Sequence, residues 1–221
     1  MVPDLAVVTD LLPLTPDELL TTTRAVRKRL DLSRPVSREL IEECITIGLQ
    51  APSGSNRQAW QWVPVDDADT KVRMAELYRE VFDSYQPRSS GYTPGDTRYE
   101  RRDAVTSSSV HLRDHLHEVP VLLVVYQEPR IEELAWGSHP GFWGSVVPAI
   151  WSFMLALRAR GLGSVWTTMT CRKEQEMAEV LGVQHDKYTQ IGLFPVAYTL
   201  GTDFKPAPRL DPSDVIHWNK W

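Results

Sequence analysis

A ten-residue segment, 51–60, carries the residue types that could bind a flat heteroaromatic ligand. Its sequence is Ala-Pro-Ser-Gly-Ser-Asn-Arg-Gln-Ala-Trp, and it follows a stretch with helical spacing. Glycine and serine let a planar ligand approach the backbone closely. The amides of Asn56 and Gln58 offer donors and acceptors that match the edge of such a ring. By composition alone, the segment could equally be a polar turn.

Three cations on the predicted first helix could bind phosphate. A capping-box pattern at 15–18 predicts a helix that runs to about Leu30. Arg24, Arg27 and Lys28 are then spaced to share one face of that helix. Arginine forks suit phosphate oxygens because both donors can bind at once. Taken alone, the cluster is more typical of a solvated basic face.

The elements that must position these residues alternate along the chain. Predicted helices cover 37–51, 68–86, 107–117, 142–160 and 172–181. Predicted strands cover 60–65, 119–126, 164–168 and 190–200, and 86–97 is a predicted loop. Pro195 predicts an edge position or a bulge for the last strand. The pattern favours helices packed on both faces of one central sheet. The proline-rich tail, 203–221, has no core face of its own, and a partner subunit is one candidate to cover it.

Composition and charge exclude several classes of protein. The chain has 221 residues, 42% of them hydrophobic and 24% charged, which is typical of a single globular domain. A net charge of -5 argues against nucleic acid as a partner. No stretch approaches the roughly 18 apolar residues of a membrane span, and residues 1–14 show no secretory signal. Cys44 and Cys171 form no Cys-x-x-Cys pair, so we expect a reducing cytoplasm.

Other common cofactor motifs are missing. Gly161-Leu-Gly163 has Trp166 where a dinucleotide fingerprint needs its third glycine. His111, His115 and His117 cluster, but their charged neighbours are typical of a solvated helix, so no metal site is predicted.

The 51–60 segment resembles the loop after the second helix of the FMN-dependent nitroreductase family. That family has Ala-Pro-Ser-x-x-Asn-x-Gln-Pro-Trp there, and this chain departs from it at Ala59. Three further segments resemble the family in the same order along the chain. They are 23–27, which keeps two arginines of Arg-Arg-Ser-x-Arg; 161–166, which matches Gly-Leu-Gly-x-x-Trp; and Arg209 with 215–218, which resembles the closing Arg-x-Pro-Leu-x-x-Val-Val.

The resemblance implies an α+β fold of the nitroreductase type. This is a three-layer sandwich whose central, mostly antiparallel sheet is flanked by helices, in an intertwined homodimer with FMN at the interface. It implies one FMN-binding domain over 1–221, with a lid insertion at about 68–118 and a C-terminal arm, 203–221, that wraps the partner.

The resemblance also assigns site residues. Arg24, Arg27 and Arg209 would bind the FMN phosphate, and Ser53, Asn56 and Gln58 would line the ring. The predicted cofactor-binding set is completed by Ala25, Val26, Pro52, Trp166, Thr167 and Thr168. The lid tyrosines Tyr85, Tyr92 and Tyr99 would stack on an aromatic substrate or serve only packing and solubility.

The implied activity is an FMN-dependent NAD(P)H oxidoreductase. It would reduce nitroaromatics, quinones or similar small oxidised compounds by two-electron ping-pong transfer, and FMN rather than a catalytic side chain would carry the chemistry. NADPH and NADH both stay open as donors. Alternatives are an oxygen-dependent enzyme that fragments its FMN, a non-catalytic flavin store or sensor, and an interaction module without flavin.

Some members of the family remove halogen from tyrosine derivatives, and this sequence lacks their motif. Those members grip the amino-acid head group with Glu-x-x-x-Tyr. Here the residues four places before the tyrosines at 78, 85, 92 and 99 are not glutamate; they are Met74, Val81, Arg88 and Gly95.

Overall fold

The computed structural model describes residues 10–85 and 91–221. Its helices are α1 (Pro16–Thr22), α2 (Arg38–Gly48), α3 (Ala68–Ser84), α4 (Thr97–Glu100), α5 (Arg102–His115), α6 (His139–Ala159) and α7 (Glu174–Leu181). Its strands are β1 (Trp60–Val65), β2 (Val121–Gln127), β3 (Leu162–Ser164) and β4 (Thr189–Tyr198). Part of the predicted 86–97 loop, 86–90, lies outside the described residues.

The four strands form one antiparallel sheet in the order β1-β2-β4-β3. Every residue of β2 is buried, as its unbroken apolar sequence predicts. Because side chains alternate along a strand, Val121, Leu123 and Val125 join the core on one face. Leu122 and Val124 join the core on the other.

Helices cover both faces of this sheet. On one face, α2 and α6 pack against each other and contribute to the larger core. On the other, α3 packs with α5 and α7 over the second core. Apolar residues of α2 such as Leu40, Ile41 and Cys44 recur at helical spacing and are buried. The prediction of an α+β sandwich with an antiparallel sheet between helix layers is confirmed.

Helix α6 and the turn before it are longer and more apolar than the sequence interpretation allowed. By length and composition, residues Trp136–Ala159 would suit a membrane span, with a mean hydropathy of 1.3 in the best window. Half of that window is buried inside the protein, where α6 packs on α2 and contacts β3. The segment is therefore placed as the central helix of the core.

The first helix is shorter than predicted, because it ends at Thr22 instead of continuing to about Leu30. The side-chain hydroxyls of residues 21–23 each donate to the backbone carbonyl four residues earlier. Hydrogen bonds of this kind slightly destabilise a helix. The next residues pair with the sheet: the Val26 N–H donates to the Ser164 carbonyl at 2.9 Å. Thus the prediction that Arg24, Arg27 and Lys28 share a helix face is wrong, and they lie on an irregular loop.

The last two strands also differ from expectation. The predicted strand 164–168 is displaced: β3 ends at Ser164, and Thr167 makes only an isolated bridge with Leu193. Strand β4 lies inside the sheet, so the edge position predicted from Pro195 is wrong. Pairing with β3 stops at Val196, so Pro195, which has no N–H to donate, lies where the β3 ladder is interrupted. The register shift between β2 and β4 lies opposite residues 190–192, so the bulge predicted as the alternative is not at Pro195.

The C-terminal arm, 203–221, contains one short 3₁₀ turn, Pro212–Asp214. Nearly all its residues are exposed, including Val215, Ile216 and Trp218, whose apolar side chains find no core in this chain.

Candidate functional site

A cationic groove of about 530 Å³ lies between loop 23–29, helix α5 and the start of the arm. We call it the arginine groove. Its cations are Arg24, Arg27, Lys28, Arg29, Arg101 and Arg209. The other lining residues are Thr23, Ala25, Val26, Ala104, Val105, Ser108, Trp151, Phe204 and Ala207. Four predicted cofactor residues, from Arg24 to Arg27, thus meet Arg209 in one groove, although the helix predicted to carry them is absent.

Contacts with the far end of the chain hold loop 23–29 in place. Arg29 forms an ion pair with Asp203 at 2.5 Å and donates from Nε to the Leu200 carbonyl at 2.8 Å. Under the loop, a Cβ on Gly163 would lie 2.7 Å from Thr199 Cγ2 and 3.0 Å from Val26 Cβ. Only glycine lets the loop cross β3 this closely.

The arginine groove has a surplus of positive charge. Burial lowers the pKa of Arg24, and nearby positive charges, chiefly those of Arg101 and Arg209, lower it further. Burial also lowers the pKa of Arg27. Within the described ranges, no carboxylate lies within 4 Å of four of the groove's arginines: Arg24, Arg27, Arg101 and Arg209. Arg24 donates to the Lys205 carbonyl at 2.9 Å, and Arg27 lies 3.4 Å from Ser108 Oγ. Such a cluster favours a multiply charged anion, since guanidinium groups bind phosphate oxygens strongly.

A second groove, of about 320 Å³, lies beside segment 51–60 and the start of α6. We call it the loop groove. It is lined by Ser53 and Gln58 among the predicted site residues, with Arg57 and Gln127 nearby. In the loop, Gln58 donates from Nε2 to Asn56 Oδ1 at 2.9 Å and from its backbone N–H to Ser53 Oγ at 3.2 Å.

The backbone of this loop is unusual for residues other than glycine. Ser55, Asn56 and Gln58 have φ values of 53°, 54° and 48°, a left-handed conformation that costs free energy in most side chains. A hydrogen bond of 2.9 Å from the Gly54 N–H to Ser145 Oγ ties the loop to α6. A loop held in a strained shape by a rigid helix suits a binding role.

The two grooves have no lining residue in common. The arginines and the 51–60 loop are therefore not brought together into one cavity of a single chain.

The residues at the end of β3 are largely engaged with the sheet. The Trp166 indole N–H donates to the Ile191 carbonyl at 3.0 Å, and its ring packs on Phe194. Thr167 is buried, and its hydroxyl donates to the Leu193 carbonyl at 3.0 Å. Thr168 is exposed, which leaves it the most accessible of the three predicted here.

The lid tyrosines line neither groove. Each has an arginine over its ring, at distances of 5.0 Å for Arg172 on Tyr85, 4.1 Å for Arg98 on Tyr92 and 3.9 Å for Arg102 on Tyr99. The lid reaches the arginine groove through α5 instead. Pro52 borders a separate hollow beside α6.

The histidine cluster on α5 lies outside both grooves. The rings of His111 and His115 are 4.5 Å apart, and His115 Nδ1 is 2.7 Å from Glu118. Across residues 10–85 and 91–221, no three such side chains are grouped as metal ligands.

Sequence reasoning missed several residues of the arginine groove, among them Arg101 and Ser108 from the lid, Trp151 from α6 and Phe204 from the arm. No local pattern marks them, because each reaches the groove through tertiary packing. Arg101 could have been suspected only as one of three arginines between 98 and 102.

Comparison with known proteins now supplies the family. The Nitroreductase family model matches residues 20–198. The chain belongs to the nitroreductase family. It is 26% identical over 211 residues to a putative NADH dehydrogenase/NAD(P)H nitroreductase of Archaeoglobus fulgidus, covering 92% of this chain and 97% of that protein. It is 27% identical over 186 residues to rat (Rattus norvegicus) iodotyrosine deiodinase 1, covering 82% of this chain and 61% of the deiodinase.

Solved structures of this family share the fold. The FMN and NADPH-dependent nitroreductase NfnB of Sphigopyxis sp. strain HMH superposes with a TM-score of 0.71 at 22% identity, covering 94% of this chain and all of that one. An oxidised iodotyrosine deiodinase bound to FMN and 3-iodo-L-tyrosine gives 0.69 at 22% identity, covering 93% and 99%.

Proposed function

We propose that this nitroreductase-family chain is an FMN-dependent NAD(P)H oxidoreductase that reduces small oxidised organic compounds such as nitroaromatics and quinones. The observation that carries the proposal is the arginine groove, whose cations other than Arg29 lack carboxylate partners among the described residues. Solved relatives of the same fold are FMN-dependent or FMN-bound.

The groove fits the phosphate end of FMN. Arg24, Arg27 and Arg209 line it together, and a phosphate monoester carries about -1.5 to -2 charges at neutral pH. A volume of about 530 Å³ is within the range of roughly 300–1,000 Å³ of small-molecule sites. We assign these three arginines to the phosphate, with the backbone of Ala25 beside it and Val26 holding the loop to β3 through its N–H.

The ring of FMN would be bound by residues of the loop groove. Ser53 and Gln58 line this groove, and Asn56 accepts a hydrogen bond from Gln58 beside it; in one chain none of them shares a cavity with the arginines. The site would therefore be completed by a second copy of the chain. Exposed apolar side chains on α6, such as Trp143, and on the arm support an intertwined homodimer.

FMN, when bound, supplies the hydride chemistry. The protein binds and orients: the arginines anchor the phosphate, and the 51–60 loop fixes the ring edge by hydrogen bonds. The nicotinamide donor and the oxidised substrate would bind in turn over the same face of the flavin ring, which predicts ping-pong kinetics. A ternary-complex pattern in the initial rates would count against this order of events.

The proposal places the protein in the cytoplasm. Cys44 and Cys171 are both free thiols, and burial raises the pKa of Cys44 to about 12. Free buried thiols are typical of proteins from reducing compartments.

The deciding experiment is the visible absorbance spectrum of the purified protein, followed by NADPH under anaerobic conditions. We expect a flavin spectrum that bleaches with NADPH and recovers when a nitroaromatic or a quinone is added. Flavin that stays oxidised would overturn the reductase and favour flavin fragmentation or storage. A colourless protein that takes up no added FMN would contradict flavin binding as a whole.

A further inference from the structure

The arginine groove holds more positive charge than one flavin phosphate requires. Six cations line it, and only Arg29 is paired with a carboxylate, that of Asp203, within the part of the chain that the structure describes. One phosphate monoester would neutralise about two of the remaining charges. Burial lowers the pKa of Arg24, and the positive charges of Arg101 and Arg209 nearby lower it further.

The cations approach from two sides. Arg24 and Arg27 lie on the loop side, whereas Arg101 lies on the lid side, immediately before α5, with Ser108 two turns along the same helix. The neighbouring lid arginines are already engaged: Arg98 with Asp96 at 2.6 Å, and Arg102 with Asp103 at 3.2 Å.

Arg101 differs from these neighbours, because no described carboxylate lies within 4 Å of its guanidinium. It lines the groove, and they do not. The lid thus contributes one arginine without a carboxylate partner to the arginine groove, which Arg24 and Arg27 line from the loop side.

We propose that the lid side of the arginine groove binds a second phosphate monoester, the 2′-phosphate of NADPH, and that Arg101 donates to it. The proposal rests on the proposed function and makes NADPH, not NADH, the preferred donor. Trp151, which is 40% exposed and lines the same groove, offers an aromatic surface on which an adenine could stack.

The test compares Arg101→Gln with Arg102→Gln as the charge-matched control from the next position. The probes are 2′,5′-ADP and 5′-AMP, which differ by the 2′-phosphate, titrated calorimetrically into the FMN-loaded protein. Wild type should bind 2′,5′-ADP at least tenfold more tightly than 5′-AMP. Arg101→Gln should weaken 2′,5′-ADP about 10- to 100-fold, as for a lost hydrogen bond to a charged group.

Two further measurements separate the possible sources of the phosphate. Arg101→Gln should raise KM for NADPH by a similar factor while leaving KM for NADH and the affinity for FMN unchanged. Arg102→Gln should leave these three quantities and the affinity for 2′,5′-ADP unchanged. If Arg101→Gln weakens FMN and not 2′,5′-ADP, Arg101 belongs to the flavin phosphate and the proposal is wrong.

Equal use of NADH and NADPH by a flavin-loaded, active protein would also overturn the NADPH site while leaving the reductase intact. A protein that binds no FMN would instead overturn the proposed function, together with this proposal.

Discussion

At the scale of single residues, Arg24 reports most directly on flavin binding. It lines the groove together with Arg101 and Arg209 and has no carboxylate partner in the described residues. Arg24→Gln should therefore weaken FMN binding about 10- to 100-fold, measured by the quenching of FMN fluorescence on titration.

The matched control for this variant is Arg73→Gln, which removes an exposed charge on α3 away from the groove. It should leave the FMN affinity unchanged. Equal losses in both variants would mean that net charge, and not a specific phosphate contact, controls binding.

Gly192 makes room for the indole of Trp166. A Cβ at this position would lie 2.6 Å from Trp166 Cδ1 and 3.0 Å from the Thr167 carbonyl oxygen. Gly192→Ala should therefore lower the free energy of unfolding by about 1–3 kcal/mol through overpacking, measured by urea denaturation.

Its control is Gly137→Ala, where an added Cβ meets nothing within 4 Å and stability should not change. An alanine at 192 that is tolerated without loss would show that Trp166 can move aside.

The resemblance to the nitroreductase family predicts part of the candidate site. Arg24, Arg27 and Arg209 were expected to act together, and they line one groove. Arg101 was not expected, because its approach to Arg24 depends on how the lid packs and leaves no mark in the local sequence.

At the scale of elements, a buried ion pair joins α2 to the end of α6. Glu43 and Arg160 are 5–6% exposed, with Arg160 Nη2 2.5 Å from Glu43 Oε1. Glu43→Gln leaves the arginine charge buried without its counter-charge, so the free energy of unfolding should fall by about 3–5 kcal/mol, measured by urea denaturation.

Two further variants show whether charge or packing causes that loss of stability. Glu43→Gln combined with Arg160→Met should recover part of the stability, since no unpaired charge remains. Asp66→Asn, which breaks the exposed pair with Arg38, should change it little. If the double variant is no more stable than Glu43→Gln alone, packing and not charge explains the loss.

Periodicity predicted the elements well where tertiary contacts agreed with it. The apolar spacing of α2 and the unbroken run of β2 were both confirmed. The first helix was overextended, because residues 25 and 26 pair with Ser164, about 140 positions away. Pro195 was misplaced because the interruption that accommodates it lies in its neighbour β3.

At the scale of the whole molecule, the arm should control assembly. We expect the 221-residue chain to sediment as a dimer with one FMN per chain. Truncation after Leu210 removes the exposed apolar residues Val215, Ile216 and Trp218 but keeps Arg209. The truncated chain should therefore dissociate to monomers and bind FMN more weakly, as measured by analytical ultracentrifugation.

An unchanged far-ultraviolet circular dichroism spectrum and a cooperative unfolding transition of the monomer would serve as the control that the core persists, although loss of the partner lowers the melting temperature. A 221-residue chain that sediments as a monomer with FMN bound would show that one copy completes the site.

The layers of the molecule could be predicted from the alternation of helices and strands, whereas the separation of the two grooves could not. The spacing of Arg24, Ser53 and Arg209 along the sequence does not show that the two arginines line one groove while Ser53 lines another.

The attachment of loop 23–29 has a consequence for biosynthesis. The loop leaves the ribosome early, yet its supports at Ser164, Leu200 and Asp203 are among the later residues to emerge, at a translation rate of about 5–20 residues per second. A nascent chain stopped before β4 would carry its arginines on a segment with no fixed shape. Cofactor capture would therefore have to follow translation, and a prematurely released chain would be a substrate for chaperones and proteases instead of a partial flavoprotein.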